Sequence, residues 1–138
     1  MRLLGSVSLG RVVFTARALP AIRPVTHLVD GDHVIIRTDR DAAITSELRA
    51  RTGTVVAYEA DAIDTTEHLG WSVVVVGVAH RVIDPDDAAA YRQALRPWVS
   101  GAKDQVIAIH ADVVTGFRLV ADSAAADGRA GNAGMIAP

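Results

Sequence analysis

The strongest constraint on this chain is its succession of short β-rich runs, each closed by a turn signal, with no alternation of strand and crossover helix. Such runs cover residues 11–16, 21–29, 33–38, 54–60, 71–83, 105–111 and 113–120. Their enrichment in Val, Ile, Thr and Phe suits a pleated, half-buried surface. Residues 17–20 read as a turn, and Asp30-Gly31-Asp32 between two runs is the expected form of a hairpin. Pro24 lies inside its run, which implies an edge or a bulge because proline cannot donate to a ladder. Gly77 interrupts the longest run and implies a bulge or a bend of the kind barrels use at corners. Residues 61–70 are polar and read as a loop.

Two short helices complete the pattern. One lies within residues 41–51, around the weakly amphipathic stretch from Ala42 to Leu48. The other has Asp84 as cap, Pro85 at its first position and Asp86 and Asp87 at the positive end of its dipole, and it stops before Pro97. Six or seven strands with two helices exclude a doubly wound nucleotide-binding fold and predict an α+β, mainly antiparallel barrel. Residues 1–120 form one domain on this reading, and residues 121–138, an Ala/Gly/Asp/Ser stretch with little to bury, form a mobile tail.

Composition removes several function classes. Half of the 138 residues are hydrophobic and the formal net charge is −2, so the chain reads as globular, without the basic stripe that nucleic acid requires; Lys103 is its only lysine. The absence of cysteine excludes disulfides, thiolate metal sites and thiol nucleophiles. His27, His33, His68, His80 and His110 show no metal-ligand spacing, so no metal site is expected. No apolar run approaches the ~20 residues that span a bilayer, and the first eleven residues do not form a signal peptide; a cytoplasmic address without membrane contact is the expectation.

Four stretches carry more than a fold class. They are Leu9-Gly10-Arg11-Val12-Val13-Phe14; the run from Leu19 to Gly31, with Arg23-Pro24-Val25-Thr26-His27 at its centre; Val34-Ile35-Ile36-Arg37-Thr38; and Gly70-Trp71-Ser72 through Gly77. In this order and spacing they closely resemble the actinobacterial pyridoxamine 5′-phosphate oxidase-like flavin proteins, over residues 3–119. The resemblance implies an FMN-binding split β-barrel and a homodimer, with FMN in each of two grooves between the subunits. It implies that Arg23, Pro24, Val25, Thr26 and His27 run beneath the flavin ring, that Arg37 and Thr38 meet the phosphate, and that Ala42 and Ala43 lie against the same phosphate. Trp71 and Ser72 are implied to approach the flavin from the partner subunit. The chemistry agrees, since a phosphate suits an arginine fork, a hydroxyl and the N–H groups of a helix start.

The chain also departs from that family. Its phosphate turn reads Arg40-Asp41-Ala42-Ala43, where a lysine is common, and Asp39 and Asp41 add negative charge there. After Leu119 it lacks the basic segment that recognises the pyridine substrate, which argues against pyridoxal phosphate synthesis. The family's longer first helix is represented only by its end, Arg2 to Gly5, so N-terminal truncation is an expectation.

Blander readings stand beside these. Arg37 at a strand end is ordinarily a solvated charge, His27 ordinarily satisfies a backbone carbonyl, and Trp98 reads as a core or dimer-interface residue. Tyr58 reads as core and Asp61 with Asp64 as a solvated loop, while Arg118 is placed to reach the cofactor groove. The leading function is an FMN oxidoreductase moving a hydride or electrons to an unspecified small molecule, with no residue obliged to be a nucleophile. The alternatives are a non-catalytic flavin-sequestering protein, a deazaflavin-dependent reductase and a cofactor-free structural dimer. The deazaflavin reading ranks below FMN because an acidic cofactor tail calls for more than one lysine.

Overall fold

The computed structural model describes residues 1–40, 42–96 and 103–122, together with the backbone of Gly134–Ile136. After a 3-10 turn at Leu4–Ser6 come β1 (Leu9–Ala16), β2 (Leu19–Asp30), β3 (His33–Thr38), α1 (Ala43–Ala50), β4 (Thr54–Asp64), β5 (Leu69–Arg81), α2 (Pro85–Ala94), β6 (Gln105–His110), β7 (Val113–Val120) and β8 (Gly134–Ile136). Every pairing is antiparallel. The order β4-β1-β2-β3-β6-β5, with β5 returning to β4, closes six strands into a barrel, and β7 and β8 extend outward from β5.

Period-two alternation explains the core. Val12 and Phe14 of β1, Val34 and Ile36 of β3, Val56 and Tyr58 of β4, Val75 and Ala79 of β5, and Ile107 and Ile109 of β6 all point inward. Leu4 joins them, as do Ile44 and Leu48 of α1. On the other face of β3 and β6, Ile35, Val106 and Ala108 pack against Ala88 and Leu95 from α2 and its end. Each such fully buried aliphatic side chain contributes about 1.5–3 kcal/mol.

The turns follow local chemistry. The Asp84 carboxylate caps α2 by accepting from the N–H groups of Asp86 and Asp87. Gly31, with φ of 59°, opens the two-residue loop between the paired Asp30 and His33. The other two-residue loop, between Ala16 and Leu19, is filled by Arg17 and Ala18 at φ of 51° and 62°, a left-handed pair without glycine. At Gly77, β5 exchanges β7 for β6 as its neighbour, and a Cβ there would strike the His110 carbonyl. The glycine expected to mark a barrel corner therefore allows one backbone to cross another.

Two expectations need correction. Residues 61–70 are not a loop: Asp61–Asp64 pair with Leu69–Ser72, and only residues 65–68 turn. Main-chain pairing continues there regardless of side-chain polarity, and the Asp64 carboxylate closes the turn by accepting from the N–H groups of Thr66 and Glu67. Within the presumed mobile tail, Gly134–Ile136 pairs with Arg118–Val120. Asp41, Trp98 and the remainder of the tail lie outside the described residues.

The barrel is open along one seam. β2 follows β1 from Thr26 back to Leu19, but its pairing with β3 stops at His27 opposite Ile36. The His27 N–H donates to the Ser8 carbonyl, which sets the phase of the β1–β2 ladder. By the alternation of an antiparallel ladder, Pro20 and Pro24 then occupy positions whose nitrogen faces away from β1, toward the seam. The proline predicted to mark an edge does so, because an N–H missing there costs no ladder bond.

Candidate functional site

A crevice of about 310 Å³ lies along this seam. Arg23, Pro24 and Val25 form its β2 wall, with Ile36 and Thr38 of β3 opposite. Val12 and Phe14 give it an apolar floor, and Ala42, Ala43 and Ile44 present the start of α1. Asp39 and Lys103 complete it. Six of the expected cofactor residues therefore meet in one place: Arg23, Pro24, Val25, Thr38, Ala42 and Ala43.

Its polar character comes from few groups. No side chain among the described residues caps α1, whose first residue follows Ala42, so on these residues its first-turn N–H groups are open to a ligand. Thr38, with its hydroxyl, is 6% exposed and lines the crevice. Lys103 Nζ stands 3.2 Å from Asp39 Oδ2. Lys103 was missed as a site residue from sequence, although its being the only lysine was a usable signal.

Arg37 does not reach the crevice. Successive strand residues point to opposite faces, so with Thr38 turned inward Arg37 turns toward α2. Its Nε donates to the Lys103 carbonyl at 2.8 Å, and its Nη1 donates to the carbonyls of Arg92 and Leu95 at 3.0 and 2.7 Å. The guanidinium thus secures the C-terminal end of α2, where a cation is favoured by unpaired carbonyls. The arginine fork expected at the phosphate is engaged elsewhere in this geometry.

His27 is also structural. Its Nε2 donates to the Leu4 carbonyl at 2.8 Å, which leaves Nδ1 as the acceptor of the Tyr58 hydroxyl at 2.6 Å. Burial lowers its pKa below the usual imidazole value, with the Leu4 carbonyl opposing, so the ring is neutral. It borders a separate hollow of about 670 Å³ between residues 5–9 and β2, which contains none of the other expected residues. Burial, and then the charge of Glu59, raises the Tyr58 pKa far above that of a free phenol and keeps its proton in place. Tyr58 is core, as the sequence implied.

Thr26 is buried opposite Leu9 and does not line the crevice; nor do Trp71 and Ser72. The Ser72 hydroxyl donates to Glu59 Oε1 at 3.2 Å, while Glu59 Oε2 accepts from Arg11 at 3.1 Å, on the outer face of the sheet. Trp71 sits half-buried across from Arg118 in the β5–β7 ladder. Asp61 adds a 3.8 Å contact to Arg11.

The outer face carries a second feature. Register places Ile22, Val13, Ala57, Val76 and Val113 in one row across five strands, with Val55 beside Val78 in a neighbouring row. Ile22 is 55% exposed, Val55 66% and Val113 54%. Together these side chains leave an exposed apolar row on the outer face of the sheet. Elsewhere, His33 and His110 both contact Asp32, and His110 also contacts Asp112; no group of three or more such residues could hold a metal among those described. No helix among the described residues is long and apolar enough to cross a membrane.

Known proteins agree with this architecture. Residues 1–126 match the family model described as pyridoxamine 5′-phosphate oxidase. The chain is 55% identical over 125 residues to an uncharacterized protein of Mycobacterium tuberculosis, covering 89% of this chain and 82% of that one. The structure described as the FAD binding protein from Mycobacterium smegmatis is 32% identical, with a TM-score of 0.67 over 85% of this chain and 89% of that one. A conserved protein of unknown function from Corynebacterium diphtheriae is 28% identical, with a TM-score of 0.63 over 83% and 87%. The resemblance carried by the four sequence stretches is thereby confirmed. With a seamed six-stranded antiparallel barrel and a family match over nearly its whole length, the chain belongs to the pyridoxamine 5′-phosphate oxidase family and has its split-barrel fold.

Proposed function

We propose that this chain binds a flavin nucleotide in its seam as a homodimer and serves as an oxidoreductase toward a small molecule. The observation that carries the reading is the seam itself: a strand edge kept unpaired beside an apolar floor, a helix start without a side-chain cap among the described residues, and the largely buried Thr38. These groups fit a flavin. A flat ring needs an apolar slot edged by a few fixed donors and acceptors, and a phosphate is favoured at a helix N-terminus.

A bound flavin would supply hydride and single-electron chemistry. The chain's own part is to bind and orient. The main chain from Arg23 to Val25 would border the ring, Thr38 would donate its hydroxyl, and the first N–H groups of α1 would face the phosphate. His27 is excluded as a proton donor, since both ring nitrogens are engaged inside the core. The apolar row from Ile22 to Val113 supports a second copy packed against the outer face. On this reading Trp71 and Ser72 act across the dimer, because neither lines the crevice of its own chain.

The M. smegmatis relative's description as FAD-binding supports a flavin while leaving FMN and FAD as alternatives. The mass of the molecule released on denaturation separates these two and also detects a deazaflavin. Light scattering reports the dimer, and anaerobic reduction by nicotinamide donors separates an oxidoreductase from a sequestering protein. Failure of both FMN and FAD to bind at tens of micromolar would overturn the proposal.

A further inference from the structure

We infer that Lys103 binds the anionic end of the ligand and that Asp39 is the internal counter-ion which the ligand displaces from it. This rests on the flavin reading and assigns a residue that the family's phosphate turn does not predict. That turn supplies no lysine here, and Arg37 is held by three carbonyls on the side facing α2. Lys103 enters from the opposite wall, just before β6, whose Gln105 pairs with Thr38. Its side chain is 25% exposed, lines the crevice and has Asp39 as its partner at 3.2 Å.

Three independent features converge on the same end of the crevice. Thr38 is 6% exposed and lines the crevice. The α1 start has no side-chain cap among the described residues. The one lysine is pinned there by a carboxylate whose own main-chain carbonyl accepts from Ala42 N and the Thr45 hydroxyl. Arg23 on the far wall is more exposed and donates to its neighbour's carbonyl at 2.7 Å. An anion entering between Lys103 and the α1 start gains a half-desolvated cation, a hydroxyl and main-chain donors. It must also turn the Asp39 carboxylate away, so Asp39 holds the lysine in place when the crevice is empty and weakens the anion when it is full.

The test compares FMN with riboflavin, which lacks the phosphate, by flavin fluorescence on the full chain. Lys103→Met is expected to weaken FMN by roughly 10- to 100-fold, the range of one charge-assisted hydrogen bond, and to leave riboflavin unchanged. Lys103→Arg should restore most FMN affinity. Asp39→Asn should tighten FMN, again without effect on riboflavin. Melting curves of all variants should match wild type, since Arg37 and α1 use only the main chain of residues 103 and 39. If Lys103→Met binds FMN like wild type, or loses riboflavin in the same ratio, Lys103 is not the anion site and the flavin reading still stands. If wild type binds neither molecule, both fall.

Discussion

Replacing Tyr58 by Phe tests the buried polar chain that joins the N-terminal turn to the barrel. The Tyr58 hydroxyl donates to His27 Nδ1 at 2.6 Å, and His27 Nε2 donates to the Leu4 carbonyl at 2.8 Å. The two rings meet edge to face at 5.1 Å. Phenylalanine preserves that packing, so the substitution removes this hydrogen bond and the longer 3.5 Å contact of the same hydroxyl with the Val25 carbonyl. Its loss costs about 1 kcal/mol, and leaving Nδ1 buried and unpaired raises the total to about 2 kcal/mol. Unfolding entropy of about 2.1 cal/mol/K per residue gives roughly 0.3 kcal/mol/K for a 138-residue chain, so Tm should fall by about 7 °C. Scanning calorimetry at one fixed protein concentration measures it, because subunit association would otherwise shift Tm. Adding His27→Leu should recover part of the loss, since apolar replacement of both partners removes the unpaired group. A fall of less than about 2 °C, in the range of ordinary surface substitutions, would refute the reasoning.

Four further outcomes are expected. The lowered His27 pKa means that the unfolded chain takes up the proton first, near 6.5. Stability should therefore be intact above that pH and decline below it toward the folded pKa, by at most about 1.4 kcal/mol per pH unit; urea midpoints should show a flatter acid limb in His27→Gln. His110 has the opposite sign, raised chiefly by Asp112, so its contribution is present at low pH and fades as pH rises through its folded value; His110→Asn should abolish that fading above pH 6.5 and leave the slope of the acid limb unchanged. Arg17→Asn with Ala18→Gly should raise Tm by several degrees, since each non-glycine residue held left-handed costs about 1–2 kcal/mol; an unchanged Tm would show that the loop is unstrained. Val76→Asp, at the centre of the apolar row, should shift the mass in light scattering to that of a monomer, and an unaltered dimer would assign the interface elsewhere.

Much of this fold was legible because it is locally encoded. Asp30-Gly31-Asp32 makes its hairpin, Asp84 caps its helix, and Pro24 marks an edge, each through groups within a few residues. Ring closure was not legible, since the pairing of β3 with β6 and of β4 with β5 depends on partners distant in sequence or hidden in polar residues. The extension of β4 through Asp61 to Asp64 was missed because solvent-facing strand ends tolerate any polarity. At the site, Arg23 to Val25, Thr38, Ala42 and Ala43 gathered as expected, while Arg37 did not. Strand alternation held that answer already, since Arg37 and Thr38 are adjacent and cannot share a face. Lys103 lies about sixty to eighty residues along the chain from the walls it joins, and no local pattern ties it to them.

The two prolines of β2 have a consequence for how such an opening persists. Zipping the loose edge onto its neighbour would demand protons from positions 20 and 24, and neither nitrogen has one to give. Two of the donors such a closure would call on are therefore missing from this edge. An extended edge with fewer donors to satisfy is correspondingly less costly to leave facing a ligand.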